Sequence, residues 1–498
     1  MKNNLSLIVL DIGTSSVRAF LYSKDRRILA TKSNTLKISY PKLSWAEQDP
    51  EELWLASFDC LKYVMNEANK QSLNILGIGI SNQRETSIAW CSNTHKSLYP
   101  AIVWQCRRTA DYCSSLKDHH DLIKQKTGLF CDPYFSATKF EWLLKNVPEV
   151  QKANQSNCLK LGTVDSWIIW KLTQGQSHFT DSSNASRTML YNIHSHKYDR
   201  ALLNLFSIDI NLLPEVRPSL GNFGIISFPD LQKIPIVAVL GDQQASLFAH
   251  YSGNERCIKN TYGTGLFLMA CTGNKVQESS KLITTIAWTL NNETSYALEG
   301  SIFSGASTLK WLINNLKILE DDKKIDSLVN NIDGCEGLLF VPALSGLGSP
   351  FWSSTARGSF VNISTVHRRA HFCRAVLEAL AYHSKTVFDE IKKTIQLNSF
   401  DCLCADGGLS NSAFLMQFQS RVLNLPVKCA LDRENTAQGI LNISGLFFDL
   451  WDLKTLRTLN QSGEIYYPKA PSSSFYSNYD QWLIAVHHSI ALSKSLNE

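Results

Sequence analysis

Apolar residues in the first eighty positions fall into short runs set off by polar turns. Leu5 to Leu10, Val17 to Tyr22 and Ile28 to Lys32 are three such runs, which predicts a three-stranded β-meander. The spacing then changes. Trp54, Phe58, Leu61 and Met65 recur at helical intervals behind Asp49, placed as a cap, with Pro50 at the first helical position and Glu52 at the third. Ile75 to Ile80 follows as a buried strand. The order β-β-β-α-β predicts the start of an α/β unit whose crossover helix covers one face of a sheet.

A weaker echo of this layout lies halfway along. Ile258 to Tyr262, the turn Gly263-Thr264-Gly265, and Leu266 to Ala270 repeat the strand, Gly-Thr turn, strand order of residues 8 to 22. The echo predicts two like-built halves facing each other, 1–249 and 250–498. At roughly 150 residues per domain the chain is long enough for two or three domains and a crevice between them. No Pro- or Ser-rich linker marks the boundary, so the halves should be joined by packed elements that can hinge.

Charge and cysteine content narrow the setting. Lys and Arg number 49 against 44 Asp and Glu, and this net +5 is scattered, with nothing denser than pairs such as Arg107-Arg108 and Arg368-Arg369. No nucleic-acid or membrane footprint follows from it. The 13 cysteines are odd in number and none has metal-ligand spacing, which predicts reduced thiols in a cytoplasmic protein. No apolar run approaches the ~18 residues that would suggest a membrane span.

Three glycine-containing turns are candidates for phosphate. Asp11-Ile12-Gly13-Thr14-Ser15-Ser16 leaves a buried strand and enters a hairpin, so backbone N–H groups and hydroxyls can face phosphate oxygens while Asp11 holds Mg²⁺ through water. Arg18 can add a charge-assisted contact. Thr261 to Gly265 and Asp406-Gly407-Gly408 are of the same kind, the latter before a helix from Ala413 to Val422. Each alone is equally a plain turn. Neither the GxxxxGK[ST] loop nor the GxGxxG fingerprint occurs. Two polar clusters follow strong strands: Asn82 to Thr86 after Ile75–Ile80, and Gly241 to Gln244 after Ile236–Leu240. They sit where α/β sheets bind ligands, although a solvated loop with a salt bridge and a helix cap at Asp242 are local alternatives. Asp242 is a candidate general base.

The motifs SWAEQDP (44–50), SNQRET (81–86), AIVWQCRRT (101–109), DPYFSATK (132–139), NASRTML (184–190), GDQQ (241–244), NTYGTG (260–265) and FLMQFQS (414–420) occur in this order. With them the chain resembles the FGGY family of carbohydrate kinases, on its glycerol-phosphorylating side, nearly end to end. The resemblance implies an actin-like ATPase fold of two RNase H-like α/β domains, with ATP, Mg²⁺ and glycerol meeting in the cleft. It implies glycerol contacts by Arg84, Glu85, Tyr134, Asp242 and Gln243, an apolar wall from Trp104 and Phe267, and Asp242 as catalytic base. It further implies nucleotide-phosphate contacts by Thr14, Ser15, Ser16, Arg18, Thr264 and Gly265, an adenosine-binding turn at Gly408, and a magnesium-associated carboxylate at Asp11. A homo-oligomer, dimer or tetramer, is compatible with it.

Several positions depart from the family pattern. Ile12 replaces a glutamine, Ala306 a glycine, Lys310 a glutamine on the nucleotide side, and Ser412 an adenine-side asparagine, with Asn411 one place early. Ser353 and Asn362 replace an Asp and a Gly. Residues 227–235 lack the Gly-rich, Arg-containing loop of a sugar-bisphosphate regulatory site. The alternatives are a family kinase for another polyol or short sugar, and a non-catalytic actin-like ATP-binding protein.

Overall fold

The strand Leu5–Ile12 is buried along almost its whole length, because it runs through the middle of a sheet covered on both faces. Its side chains alternate between two layers. Ile8, Leu10 and Ile12 pack with Trp54, Leu61 and Trp167, whereas Leu7 and Val9 face Leu247, Phe248 and Ile440. The computed structural model describes residues 4–251, 257–396, 400–431, 434–459, 462–469 and 473–496.

The first sheet has the order 236–241, 74–82, 5–12, 16–23, 28–35. The first three strands are parallel, and the meander from residue 5 to 35 is antiparallel. The second sheet repeats this plan. Ile258–Tyr262 is its middle strand, antiparallel to Leu266–Gly273 and parallel to Leu403–Asp406, which in turn pairs with Val427–Ala430. Glu293–Ile302 completes the meander, and Ile283–Leu290 and Ser462–Tyr466 add an edge strand on each side. The halfway echo is thus a shared strand order and not only a similar turn.

Helix Pro50–Lys70 begins as its sequence predicts, with Asp49 accepting a hydrogen bond from the Glu51 amide at 2.9 Å. The third meander strand runs to Thr35, past the apolar run that marks it in the sequence. It is an edge strand with every second residue exposed near its end, so polar Ser33, Asn34 and Thr35 continue the ladder without an apolar signature. Two helices, Asp242–Tyr251 and Asn435–Phe447, lie in the apolar layer between the sheets. They touch so closely that a Cβ on Gly439 would stand 1.8 Å from the Ala245 carbonyl oxygen. No described helix is long and apolar enough to cross a membrane.

Candidate active site

Parallel strands bring distant motifs to one edge. The turn after Leu5–Ile12 and the ends of Asn74–Asn82 and Ile236–Gly241 share that edge, so Asp11, Arg84, Glu85 and Asp242 converge although up to 231 positions separate them in sequence. The second sheet places the Gly263–Gly265 turn and Asp406 in the same relation to its own middle strand.

Asn82 to Thr86 is not a solvated loop: all five residues are buried. The Arg84 guanidinium is clamped by Glu299, with Nη1–Oε2 at 2.6 Å and Nη2–Oε1 at 3.2 Å, and it also reaches Tyr134 Oη at 3.3 Å and Asp242 Oδ1 at 3.4 Å. Glu85, held at a left-handed φ of 62°, accepts from Arg187 Nε at 2.6 Å. Arg187 Nη2 donates to Glu299 Oε1 at 2.9 Å, and Arg187 Nη1 has no acceptor among the described residues. Burial alone would raise the Glu299 carboxyl, but Arg187 and Arg84 outweigh it and hold the group down to about 2. Two arginines and two glutamates thus form one fully desolvated, charge-balanced network that spans both halves of the chain.

Tyr134 is fixed from below. Lys139 Nζ donates to the carbonyls of Tyr134 at 2.7 Å and Glu85 at 3.2 Å, and Ser136 Oγ donates to the same Glu85 carbonyl. Trp104 closes the other side, with its ring 5.7 Å from that of Tyr134 and 6.1 Å from that of Phe267. The two residues expected to form an apolar wall do stand edge to face, one from each half.

Asp242 opens its helix as the first helical residue, and its carboxylate accepts from the next amide, Gln243 N–H, at 2.7 Å. Burial pushes its carboxyl up to about 6 against the pull of Arg84, yet 28% of the side chain stays open to the cleft. Gln243 Oε1 accepts from Lys259 Nζ at 2.5 Å, and that ammonium also donates to Thr261 Oγ1 at 2.7 Å. Burial lowers Lys259 to about 8.

In the first turn, Gly13 N–H bonds the Ser16 carbonyl, Thr14 Oγ1 accepts from Trp104 Nε1 at 3.0 Å, and Ser15 is exposed. Arg18 does not stand free beside it. One nitrogen lies 2.7 Å from Asp11 Oδ2 and the other pairs with Glu434. Burial raises the Asp11 carboxyl, with Arg18 opposing. Across the cleft, Ala306 N–H bonds the Gly263 carbonyl at 2.8 Å, which starts helix Ala306–Asn314 at the second turn. Thr264 is exposed and Gly265 buried. Gly407 has φ 86° and no room for a Cβ, while Gly408 beside it is open, with nothing within 4 Å of a built Cβ.

The departures from the family pattern have local explanations. Ile12 points into the core beneath the sheet. Asn362 adopts φ 66°, a left-handed conformation that asparagine tolerates better than most side chains. The Ser353 hydroxyl accepts from the Ala356 amide and keeps its turn. Ser412, where an adenine-side asparagine is expected, caps its helix: its buried hydroxyl bonds Asp326 and the Leu415 amide. Lys310 is exposed one turn into its helix.

Arg187, Glu299 and Lys259 escaped sequence reasoning. NASRTML and NTYGTG contain or adjoin two of them, but their chemistry depends on partners in the other half. The cysteines also differ from a uniformly scattered set, since the sulfurs of Cys91 and Cys158 lie 2.8 Å apart.

The model of the N-terminal domain of the FGGY family of carbohydrate kinases matches residues 6–249, and that of the C-terminal domain matches residues 258–444. The chain is 43% identical over 450 residues to the glycerol kinase of Aquifex aeolicus, covering 90% of this chain and 91% of that protein. It is 40% identical over 494 residues to glycerol kinase 2 of Thermotoga maritima, covering 98% and 99%. The crystal structure of Plasmodium falciparum glycerol kinase with ADP superposes with a TM-score of 0.90 at 32% identity, covering 97% of this chain and 98% of that one. Gluconate kinase from Lactobacillus acidophilus shares the fold at a TM-score of 0.86 and 20% identity, with coverage of 99% of both chains. Duplicated sheets, a polar cluster in which Arg84 and Glu299 join them, and two family models over most of the sequence place the chain in the FGGY family of carbohydrate kinases.

Proposed function

We propose that the chain transfers the γ-phosphoryl group of ATP to a terminal hydroxyl of glycerol, giving sn-glycerol 3-phosphate. The observation that carries this reading is the near-full-length identity to curated glycerol kinases, and the acceptor-side cluster has the chemistry it requires. Arg84, Glu85, Tyr134 and Gln243 supply donors and acceptors for the hydroxyls of a small triol, and Trp104 and Phe267 face its carbons. Because Arg84, Glu85 and Tyr134 are nearly fully buried and held in place by Glu299, Arg187 and one another, an acceptor lacking a hydroxyl would forgo a hydrogen bond that water cannot readily replace, which imposes a discrimination.

Asp242 takes the proton of the attacking hydroxyl as the new O–P bond forms. Its elevated carboxyl suits a base working near neutrality, and Arg84 keeps it ionised and aimed. The two glycine-containing turns, each beside the middle strand of its own sheet, would offer backbone N–H groups and the hydroxyls of Thr14, Ser15, Ser16 and Thr264 to phosphates, with Arg18 adding charge. Gly408 leaves open space for adenosine.

No group of three or more His, Cys, Asp or Glu side chains suited to a metal occurs among the described residues. Mg²⁺ keeps several waters and takes phosphate oxygens with only one or two protein carboxylates, and Asp11, whose Oδ2 is paired with Arg18 at 2.7 Å beside the first turn, is the carboxylate that would hold it. When bound, the ion neutralises phosphate charge during transfer. A cytoplasmic setting accords with a reaction that uses ATP.

The test is a coupled ADP-release assay across glycerol, erythritol, ribitol, xylulose, gluconate and dihydroxyacetone. Glycerol should give the highest kcat/KM; a higher value for any five-carbon or six-carbon acceptor would overturn the assignment.

A further inference from the structure

We propose that Cys91 and Cys158 form a thiol–disulfide pair that closes when the protein meets a hydroperoxide. Cys91 ends the strand Ile88–Cys91, and Cys158 immediately precedes Leu159–Gly162, its antiparallel neighbour, in which Leu159 is paired with Cys91. The Ser92 amide donates to the Cys158 carbonyl at 2.7 Å, so the two backbones are locked side by side at this point. The sulfurs stand 2.8 Å apart and both residues are free thiols. Bond formation therefore needs little rearrangement of strands already joined by the ladder.

The two thiols differ in a way that assigns their roles. Burial would raise Cys91, but the Cys158 thiol, the amides of Asn93 and Thr94 and the Thr94 side chain face its sulfur and lower it. Cys158 is raised by its hydrogen bond with Cys91 and by burial. In the structure the Cys91 S–H donates to Cys158 Sγ, and the amides that face only the Cys91 sulfur stabilise it once that proton has left, so Cys91 is the attacking thiolate and Cys158 the resolving thiol. Each is buried, yet Asn93, Thr94 and Asn157 beside them are exposed, which leaves only one layer of turn between the sulfurs and a small oxidant.

The chemistry balances with a hydroperoxide as the oxidant. The Cys91 thiolate attacks the peroxide, the O–O bond breaks, and the departing alkoxide or hydroxide takes a proton to leave as alcohol or water, with Cys91 left as a sulfenic acid. The Cys158 sulfur then attacks the Cys91 sulfur and its proton departs with the sulfenic oxygen as water. Two thiols lose two electrons and two protons, and the peroxide is reduced. The product joins the ends of two strands and encloses the segment that carries Trp104, Tyr134 and Lys139. Neither cysteine touches the network around Asp242, so the link acts as a staple on that lobe and not as an on–off switch of catalysis.

The full-length protein, treated with substoichiometric hydrogen peroxide, quenched with N-ethylmaleimide and digested without reduction, should yield a peptide linking Cys91 to Cys158. That link should form roughly tenfold faster than loss of alkylation at any other cysteine and be reversed by dithiothreitol. The oxidised protein should show a higher thermal midpoint with glycerol-dependent kcat unchanged. Cys158→Ser should leave Cys91 as a sulfenic acid that dimedone labels. Recovery of both cysteines of the wild-type protein as maleimide adducts while others oxidise, or dimedone labelling at Cys158 in Cys91→Ser with none at Cys91 in Cys158→Ser, would overturn the proposal. The wild-type peptide map decides the matter even if either variant fails to fold.

Discussion

Asp242, the proposed general base, stands at the entrance of a helix with burial on one side and the Arg84 guanidinium 3.4 Å away on the other. Asp242→Asn should lower kcat by roughly 10²–10⁴-fold with a much smaller change in glycerol affinity, measured by steady-state kinetics and equilibrium binding. The same residue sets the acid limb of the pH profile. Only the ionised form accepts a proton and its carboxyl is pushed up to about 6, so kcat/KM for glycerol should fall as pH drops below about 6 and level off above it. A profile flat down to pH 5 would contradict the role. On the nucleotide side, Lys310 is exposed one turn along the helix that starts at the Gly263–Gly265 turn. A lysine donates but cannot accept, and one neutral hydrogen bond is worth about 0.5–1.5 kcal/mol, so Lys310→Gln should sharpen the preference for ATP over GTP by about 2- to 10-fold without altering the KM for glycerol. Equal KM ratios in the two proteins would place Lys310 outside nucleotide choice. Residue by residue, the motif-borne groups were legible because they lie in contiguous blocks. Glu299 lies in no such block, and Arg187, although inside NASRTML, gave no sign of its partner. A charge looks the same in sequence whether it faces water or a partner 112 positions away, as these two do at 2.9 Å.

Elements were legible wherever burial leaves a pattern in the sequence, either a one-sided apolar stripe at helical spacing or a continuous apolar run. The Pro50–Lys70 helix follows from its cap and periodicity, and the middle strands from their continuous apolar runs. The outer part of Ile28–Thr35 was hidden because an edge strand needs no apolar stripe. The two helices between the sheets illustrate a further limit, since what fixes their approach is the absence of a side chain. Gly439 lets Asn435–Phe447 lie against the carbonyl of Ala245 in the helix that Asp242 begins. Gly439→Ala would force those backbones apart and should cost about 1–3 kcal/mol in urea unfolding. Because the displaced helix carries Asp242, kcat should fall together with stability. A variant as stable and active as the wild type would show that the helices can move apart freely.

Across the whole molecule, the halves are joined at the site by charge as well as by apolar packing. Arg84 from the first sheet's edge and Glu299 from the second sheet meet at 2.6 Å, and Arg187 completes the balance. Removing one member leaves buried charge unmatched, so Glu299→Gln should destabilise the protein by about 3–5 kcal/mol at neutral pH. The folded-state carboxyl is depressed to about 2 from its ordinary 4.5, so its contribution is complete above pH 4.5 and is lost as pH falls toward 2. The stability gap between wild type and variant should accordingly be constant from pH 7 to 5 and narrow below 4.5, as read from urea midpoints at each pH. A gap that widens on acidification would mean that the carboxyl is not held down by the two arginines. The duplicated strand order was legible only as a short echo, because the pairing that defines it is set by ladders between strands far apart in sequence.

The helix Asn435–Phe447 also bears on how the protein is made. It packs against Leu7, Val9 and Leu240 of the first sheet, yet it is encoded almost two hundred residues after the last strand of that sheet, Ile236–Gly241. At ribosomal speeds of about 5–20 residues per second, that interval lasts on the order of 10–40 s. Throughout it, only the helix Asp242–Tyr251 is available to cover that face of the first sheet, and the apolar surface that Asn435–Phe447 will bury stays open. A chain built in this way depends on its last third to finish its first half, and chaperones that hold exposed apolar strands would have their longest opportunity during that wait.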